Sequence, residues 1–151
     1  QIALDAPAGV IDEKYIDEFH QGRVETTGFD VADATLDGNL PTALISLRSA
    51  IETGTDPVMV TSAIASALRI LAKVSGSASG AKSFELAGQR GMAPWQIDKA
   101  RRQLQGWTPR ALSKGVQAIA LADAQVKGAA TDPIYALEKA LATITAARAA
   151  R

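Results

Sequence analysis

Cysteine is absent from the 151 residues, which excludes disulfides and thiolate metal sites and fits a reducing, cytoplasmic setting. Histidine is nearly absent. His20 stands alone, so a histidine metal cluster or a Ser-His-Asp triad has almost nothing to build with. Aromatic residues are 5% of the chain, and strand-favouring runs of Val, Thr and Tyr are hard to find. Long apolar runs are also lacking: the longest uncharged one, Val58 to Leu68, is closed by Arg69 and is too short to span a bilayer. No basic segment followed by an apolar one opens the chain, so no signal peptide is read. The first residue is Gln1 rather than Met, which suggests a piece of something longer.

What is present is aliphatic. Hydrophobic residues make up 47%, mostly Ala, Leu, Ile and Val, enough for a core and too many for global disorder. Ala and Leu are strong helix formers, so the composition predicts an all-α fold. The length fits one domain, or one domain with a small piece of another. Sixteen acids balance sixteen bases, but unevenly along the chain. Residues 1–38 hold nine acids against two bases (9 − 2 = 7 excess negative), and residues 82–114 hold seven bases against two acids (7 − 2 = 5 excess positive). Such a split marks either an assembly surface or a nucleic-acid patch.

Punctuation divides the chain into helices. After the breaker cluster Ala6-Pro7-Ala8-Gly9, Asp12 caps a short helix through about His20, with Tyr15, Ile16 and Phe19 on one face. Gly22 to Gly28 reads as a linker and a domain boundary, and a short helix is expected over 29–36. A helix over 41–53 follows, with Leu44, Leu47, Ala50 and Ile51 at helical spacing and Gly54 as its stop. Asp56-Pro57 opens the next, striped by Val60, Ile64, Leu68, Leu71 and Val74. Beyond the Gly76 to Gly80 loop, helices are expected near 83–90, 94–105 and 109–128, the last turning Leu112, Val116, Ile119 and Val126 inward. Asp132-Pro133 opens a final helix carrying Ile134, Leu137, Leu141 and Ile144. Its Ala-rich end, Ala142 to Ala150, puts the last turn in doubt.

Three stretches imitate functional sites. Gly76-Ser77-Ala78-Ser79-Gly80-Ala81-Lys82-Ser83 is one residue from a P-loop, with Ala81 where glycine belongs. The segment before it has helical period, whereas a P-loop follows a buried strand, so a linker is the better reading. Phe84 to Ile97 has the look of a helix-turn-helix, with Ala87 at the helix contact and Gly91 at the turn. Lys99, Arg101 and Arg102 would then be candidate contacts to a DNA backbone, but any compact helix pair uses the same small residues, and base-reading donors are few. Asp123 ends an apolar run like a Walker B acid, yet it also stands four residues before Lys127, the spacing of a surface ion pair. No nucleophile, base and oxyanion site converge, so no active site and no cofactor site is read.

The order of these pieces resembles one family. Phe29-Asp30-Val31-Ala32-Asp33-Ala34, the turn Asp37-Gly38-Asn39, and Ala43-Leu44 with Leu47-Arg48 are similar to the opening of the C-terminal domain of the bacterial DNA polymerase III delta subunit. Gly54-Thr55-Asp56-Pro57 and the helix reaching Leu68-Arg69 match its next segment. Leu86-Ala87, Gly91-Met92, Trp95-Gln96-Ile97 and Arg101-Arg102 look like an actinobacterial version. Ala122 to Gly128, with Asp123 and Lys127, then Asp132-Pro133 and Ala136-Leu137-Glu138, resemble its most recognisable stretch.

The resemblance, over about residues 9–147, implies a helical collar domain over 29–151, a linker at 24–28, and in residues 1–23 the tail of an AAA+-like lid module. It implies a non-catalytic member of the clamp loader of the polymerase holoenzyme, joining delta-prime and tau or gamma subunits through the collar. The sliding clamp would be gripped by an upstream module, primer-template DNA would be met indirectly, and no membrane would be involved. In that setting the helix-turn-helix lookalike becomes a packing motif. The competing reading is a helix-turn-helix regulator, and a third is a small ATPase using the Gly76 to Ser83 loop.

Overall fold

The computed structural model describes residues 27–77, 91–129 and 131–150, together with residues 82, 85, 87 and 88. The expected helix over 12–20 and His20 lie outside these residues, as do most of the P-loop-like stretch and of the first half of the helix-turn-helix lookalike. Among the described residues there are six substantial helices and no strand: α1 (residues 27–36), α2 (Leu40–Glu52), α3 (Pro57–Ser75), α4 (Pro94–Leu104), α5 (Pro109–Ala124) and α6 (Pro133–Ala149). The all-α expectation holds.

A single device starts four of them, α2 included, where Asn39 Oδ1 accepts from the Thr42 N–H at 3.2 Å and Pro41 lies in the first turn. A side chain with an oxygen caps the helix, and proline, whose missing N–H costs nothing there, occupies the first turn. Asp56 Oδ1 accepts from the Val58 N–H at 2.8 Å ahead of Pro57. Thr108 Oγ1 accepts from the Ala111 N–H at 3.1 Å ahead of Pro109. Asp132 Oδ1 accepts from the Tyr135 N–H at 2.9 Å ahead of Pro133. Pro94 follows Ala93, which has no oxygen to offer. There the Gln96 side chain reaches back to accept the Ala93 N–H at 3.0 Å.

α3 is the central helix. It packs against α4, α5 and α6, and Val60, Ile64, Leu68 and Leu71 on its inner side are fully buried. Burial contributes roughly 1.5–3 kcal/mol for each such side chain, an upper figure because the unfolded chain already hides some of that surface. By length and composition α3 could cross a membrane. The helix is longer than the uncharged run within it because Arg69 and Lys73 continue it on the exposed side. Small residues bring neighbouring helices close: a Cβ built on Gly115 of α5 would lie 3.3 Å from a Leu68 methyl, and one on Gly28 would meet Ala63 Cβ at 3.5 Å.

Several expectations are revised. Thr27 and Gly28 are already helical, so α1 starts before Phe29, with Gly28 buried against α3. α5 ends at Ala124 and passes into a π-turn at Gln125–Ala129, where Gly128 takes φ +124. The buried stripe of α5 is Leu112, Gly115, Ile119 and Ala122, so Val116, about 100° further round from Gly115, stays 41% exposed, and Val126 is only half-buried. In α6, Leu137, Leu141 and Ile144 are buried, but Ile134 in the opening turn is 37% exposed. The Ala-rich end is helical through Ala149, as the propensity of Ala favours.

Two side chains lock one end of the bundle. Trp107, in the α4–α5 connection, is buried and donates its indole N–H to the Leu36 carbonyl at 3.0 Å, satisfying one of the orphan acceptors at the end of α1. Arg148 of α6 lies against Gly38 and Gly106, and a Cβ on Gly106 would overlap its guanidinium.

Candidate assembly interface

The described residues contain no group of three or more His, Asp or Glu side chains placed to share a metal. The features that stand out instead are exposed apolar surfaces, and there are two.

The first is a groove of about 200 Å³ between α1, α3 and α4. Ala32, Ala63, Ala67, Ile70 and Ala100 line it, all alanine-sized except Ile70. This follows from helix periodicity: Ala63, Ser66, Ala67 and Ile70 recur every three or four residues along α3, and their short side chains leave a trough where larger ones would fill the gap. Phe29 of α1 and Trp95 of α4 also line it, and they are 55% and 64% exposed. Large aromatic surface left in water forgoes its burial energy, so two such residues on one small groove mark a place where apolar matter docks.

Polar residues close one end. Lys99 Nζ meets Asp33 Oδ2 at 2.7 Å, and the Gln103 amide donates to Asp33 and Asp37 over longer distances of 3.5 and 3.4 Å. Asp33, Asp37, Lys99, Arg102 and Gln103 also line an adjoining polar hollow of about 240 Å³. Both partners of the Lys99–Asp33 pair are about a third exposed, so water screens it, and it contributes at most about 1 kcal/mol.

The second surface is the outer side of α5. Val116, Gln117, Ala120, Leu121 and Ala124 are exposed there, with Leu121 at 57%, and exposed Arg110 and Lys114, seven residues before Gln117 and Leu121, add positive charge to the same side. Tyr135 at 61% and Ile45 at 68% add exposed apolar area on α6 and α2.

The residues picked out from sequence are distributed as follows. Asp123 and Lys127 form an ion pair at 2.9 Å, and Asp123 Oδ1 also accepts from Thr61 of α3 at 3.4 Å. Asp132 and Pro133 start α6 as cap and first residue. Lys99, Arg101 and Arg102 share α4, but Lys99 is turned to Asp33. Gln96, the nearest candidate for reading a base, spends its carbonyl on the start of its own helix. The two tryptophans part company, Trp107 to the core and Trp95 to the surface. Sequence reading missed Phe29 and Asp33 as groove residues, and periodicity gave no signal, because Phe29 stands three and seven residues before buried Ala32 and Leu36 and so reads as a core position.

Residues 25–144 match the family model described as DNA polymerase III delta subunit, C-terminal domain. Among solved structures, the Bacillus subtilis DNA clamp loader delta protein (YqeN) shares the fold with a TM-score of 0.70 at 17% identity, over 82% of this chain and 37% of that one. The chain thus corresponds to little more than a third of that protein's length. No curated protein matches.

Proposed function

The chain belongs to the family formed by the C-terminal domain of the DNA polymerase III delta subunit, and from that premise we propose that it is a non-catalytic assembly module of a DNA clamp loader. The observation that carries this reading is the family match across residues 25–144. The bundle supports it. Among the described residues it leaves large apolar side chains exposed, Val116, Leu121 and Tyr135 among them, of the kind that protein partners bury against one another.

In this reading the collar joins delta-prime and tau or gamma subunits in a cytoplasmic ring. The clamp is gripped by a module upstream of this sequence, and residues 1–23 are the tail of the lid. Val116, Leu121 and Tyr135 are the apolar anchors offered to neighbours, while the Asp123–Lys127 pair and the capping Asp132 keep structural roles. Primer-template DNA is met indirectly. Lys99, Arg101 and Arg102 are the residues through which α4 would add contacts to its backbone. Polymerisation chemistry belongs to the holoenzyme and not to this chain.

Mixing the chain with partner collar domains at tens of micromolar and following co-elution tests the proposal. A complex that Leu121→Glu weakens is the expected result. Failure to co-elute with any of the partners would refute the assembly role. Tight, salt-dependent binding of one duplex sequence would instead favour the regulator reading.

A further inference from the structure

The groove between α1, α3 and α4 poses a separate question, because its two outer walls differ in charge. α1 and the turn after it hold Asp30, Asp33 and Asp37 with no base, while α4 holds Lys99, Arg101 and Arg102 against one acid, Asp98. We propose that this face is a two-fold contact between two copies of the chain. The inference goes beyond the assembly reading above and uses a different surface from that of α5.

Register supports it first. α1 and α4 run side by side in the same direction, since Lys99 meets Asp33, and Gln103, one turn on, reaches Asp37, one turn beyond Asp33. One turn the other way, Trp95 of α4 stands level with Phe29 of α1, and both line the groove. A two-fold axis running along the groove therefore lays α4 of each copy over α1 of the other, with levels preserved. Trp95 then meets the second copy's Phe29, and Arg102 meets the second copy's Asp37. Each contact occurs twice.

Chemistry supports it next. Among the described residues the exposed Arg102 guanidinium makes no ion pair, and the exposed Asp37 carboxylate receives only the 3.4 Å bond from Gln103. Opposite charges that miss each other within one molecule find each other between two. Phe29 and Trp95, 55% and 64% exposed, flank a trough of about 200 Å³ lined by Ala63 and Ala67, so knob and hole lie on one face. Four such rings hide roughly 400–600 Å² in a dimer. A stable interface needs about 1,200–2,000 Å², so the helix turns between the rings complete a small one. Such a dimer covers Arg102, so pairing and DNA contact through α4 exclude one another.

Sedimentation equilibrium of the 151-residue chain is expected to show monomer and dimer in exchange. Half-association is expected at roughly tens of micromolar, rising with salt. Arg102→Glu and Asp37→Arg each set like charges face to face, and each is expected to weaken the dimer about tenfold or more. Mixed in equal amounts, these two variants are expected to associate at close to the original strength, because both cross pairs are again opposite in sign. Trp95→Ala is expected to weaken the dimer about tenfold. A chain still monomeric at roughly ten times the expected midpoint would overturn the proposal, as would charge variants whose mixture fails to restore association. Loss of the dimer in Leu121→Glu would place the contact on α5 and overturn it too. Failure to co-elute with partner collar domains, by contrast, counts only against the assembly reading. Should a charge variant misfold, unaltered association of Trp95→Ala refutes the contact.

Discussion

Replacing Trp107 with Phe isolates what holds the α4–α5 connection to the end of α1. The indole is buried and its N–H meets the Leu36 carbonyl at 3.0 Å, while Leu36 itself is fully buried. Phe keeps an aromatic ring in place but withdraws the donor. An acceptor left unpaired in the interior costs about 1–3 kcal/mol. The atoms lost in going from indole to phenyl remove roughly a further 1–2 kcal/mol of burial. Trp107→Phe is therefore expected to lower stability by about 2–5 kcal/mol, a large part of the roughly 5–15 kcal/mol typical of a domain. Urea unfolding followed by far-ultraviolet circular dichroism reads this directly. With a slope of about 2 kcal/mol/M, the midpoint should fall by roughly 1–2.5 M while the slope is unchanged. Trp95→Phe is the control: Trp95 is 64% exposed, and its replacement should shift stability by less than about 0.5 kcal/mol. Equal midpoints for the two variants would refute the claim that Trp107 anchors this end of the bundle.

Other perturbations follow from the same packing. Gly115→Val should destabilise by about 1–3 kcal/mol in thermal or urea unfolding, because even a Cβ there lies 3.3 Å from fully buried Leu68. Asp132→Ala should cost about 1 kcal/mol by removing the cap of α6, and Asp132→Asn, which keeps an acceptor, should recover most of it in the same unfolding assay. Lys99→Ala should change stability by less than about 1 kcal/mol, and adding salt should narrow even that difference, since the pair with Asp33 is screened.

Secondary structure was legible in the sequence because its signals are local. Asp56-Pro57 and Asp132-Pro133 mark helix starts by groups within a few residues of one another, and Gly54 and Gly38 supply the left-handed turns that end the preceding helices, at φ +92 and +81. The stripes of α3 and α6 were readable for the same reason: Val60, Ile64, Leu68 and Leu71 share one side of a helix whatever surrounds it. Family order was legible too, as spaced short motifs from Phe29 to Glu138.

Which surface of a helix meets a neighbour is a different matter, and periodicity does not contain it. On α5 the sequence offers Val116 as readily as Gly115. Only the approach of α3 decides for glycine, since close helix crossing rewards the smaller residue and leaves valine outside. Trp95 and Trp107 were equivalent as residue types. Their fates separated because the Leu36 carbonyl, 71 positions from Trp107 in sequence, needed a donor. The groove likewise arises from alanines on α1, α3 and α4 brought together by tertiary packing. Local chemistry specified the helices, and long-range contact specified their faces, because hydrogen bonds within a helix span about four residues while burial is settled by whatever arrives from elsewhere in the chain.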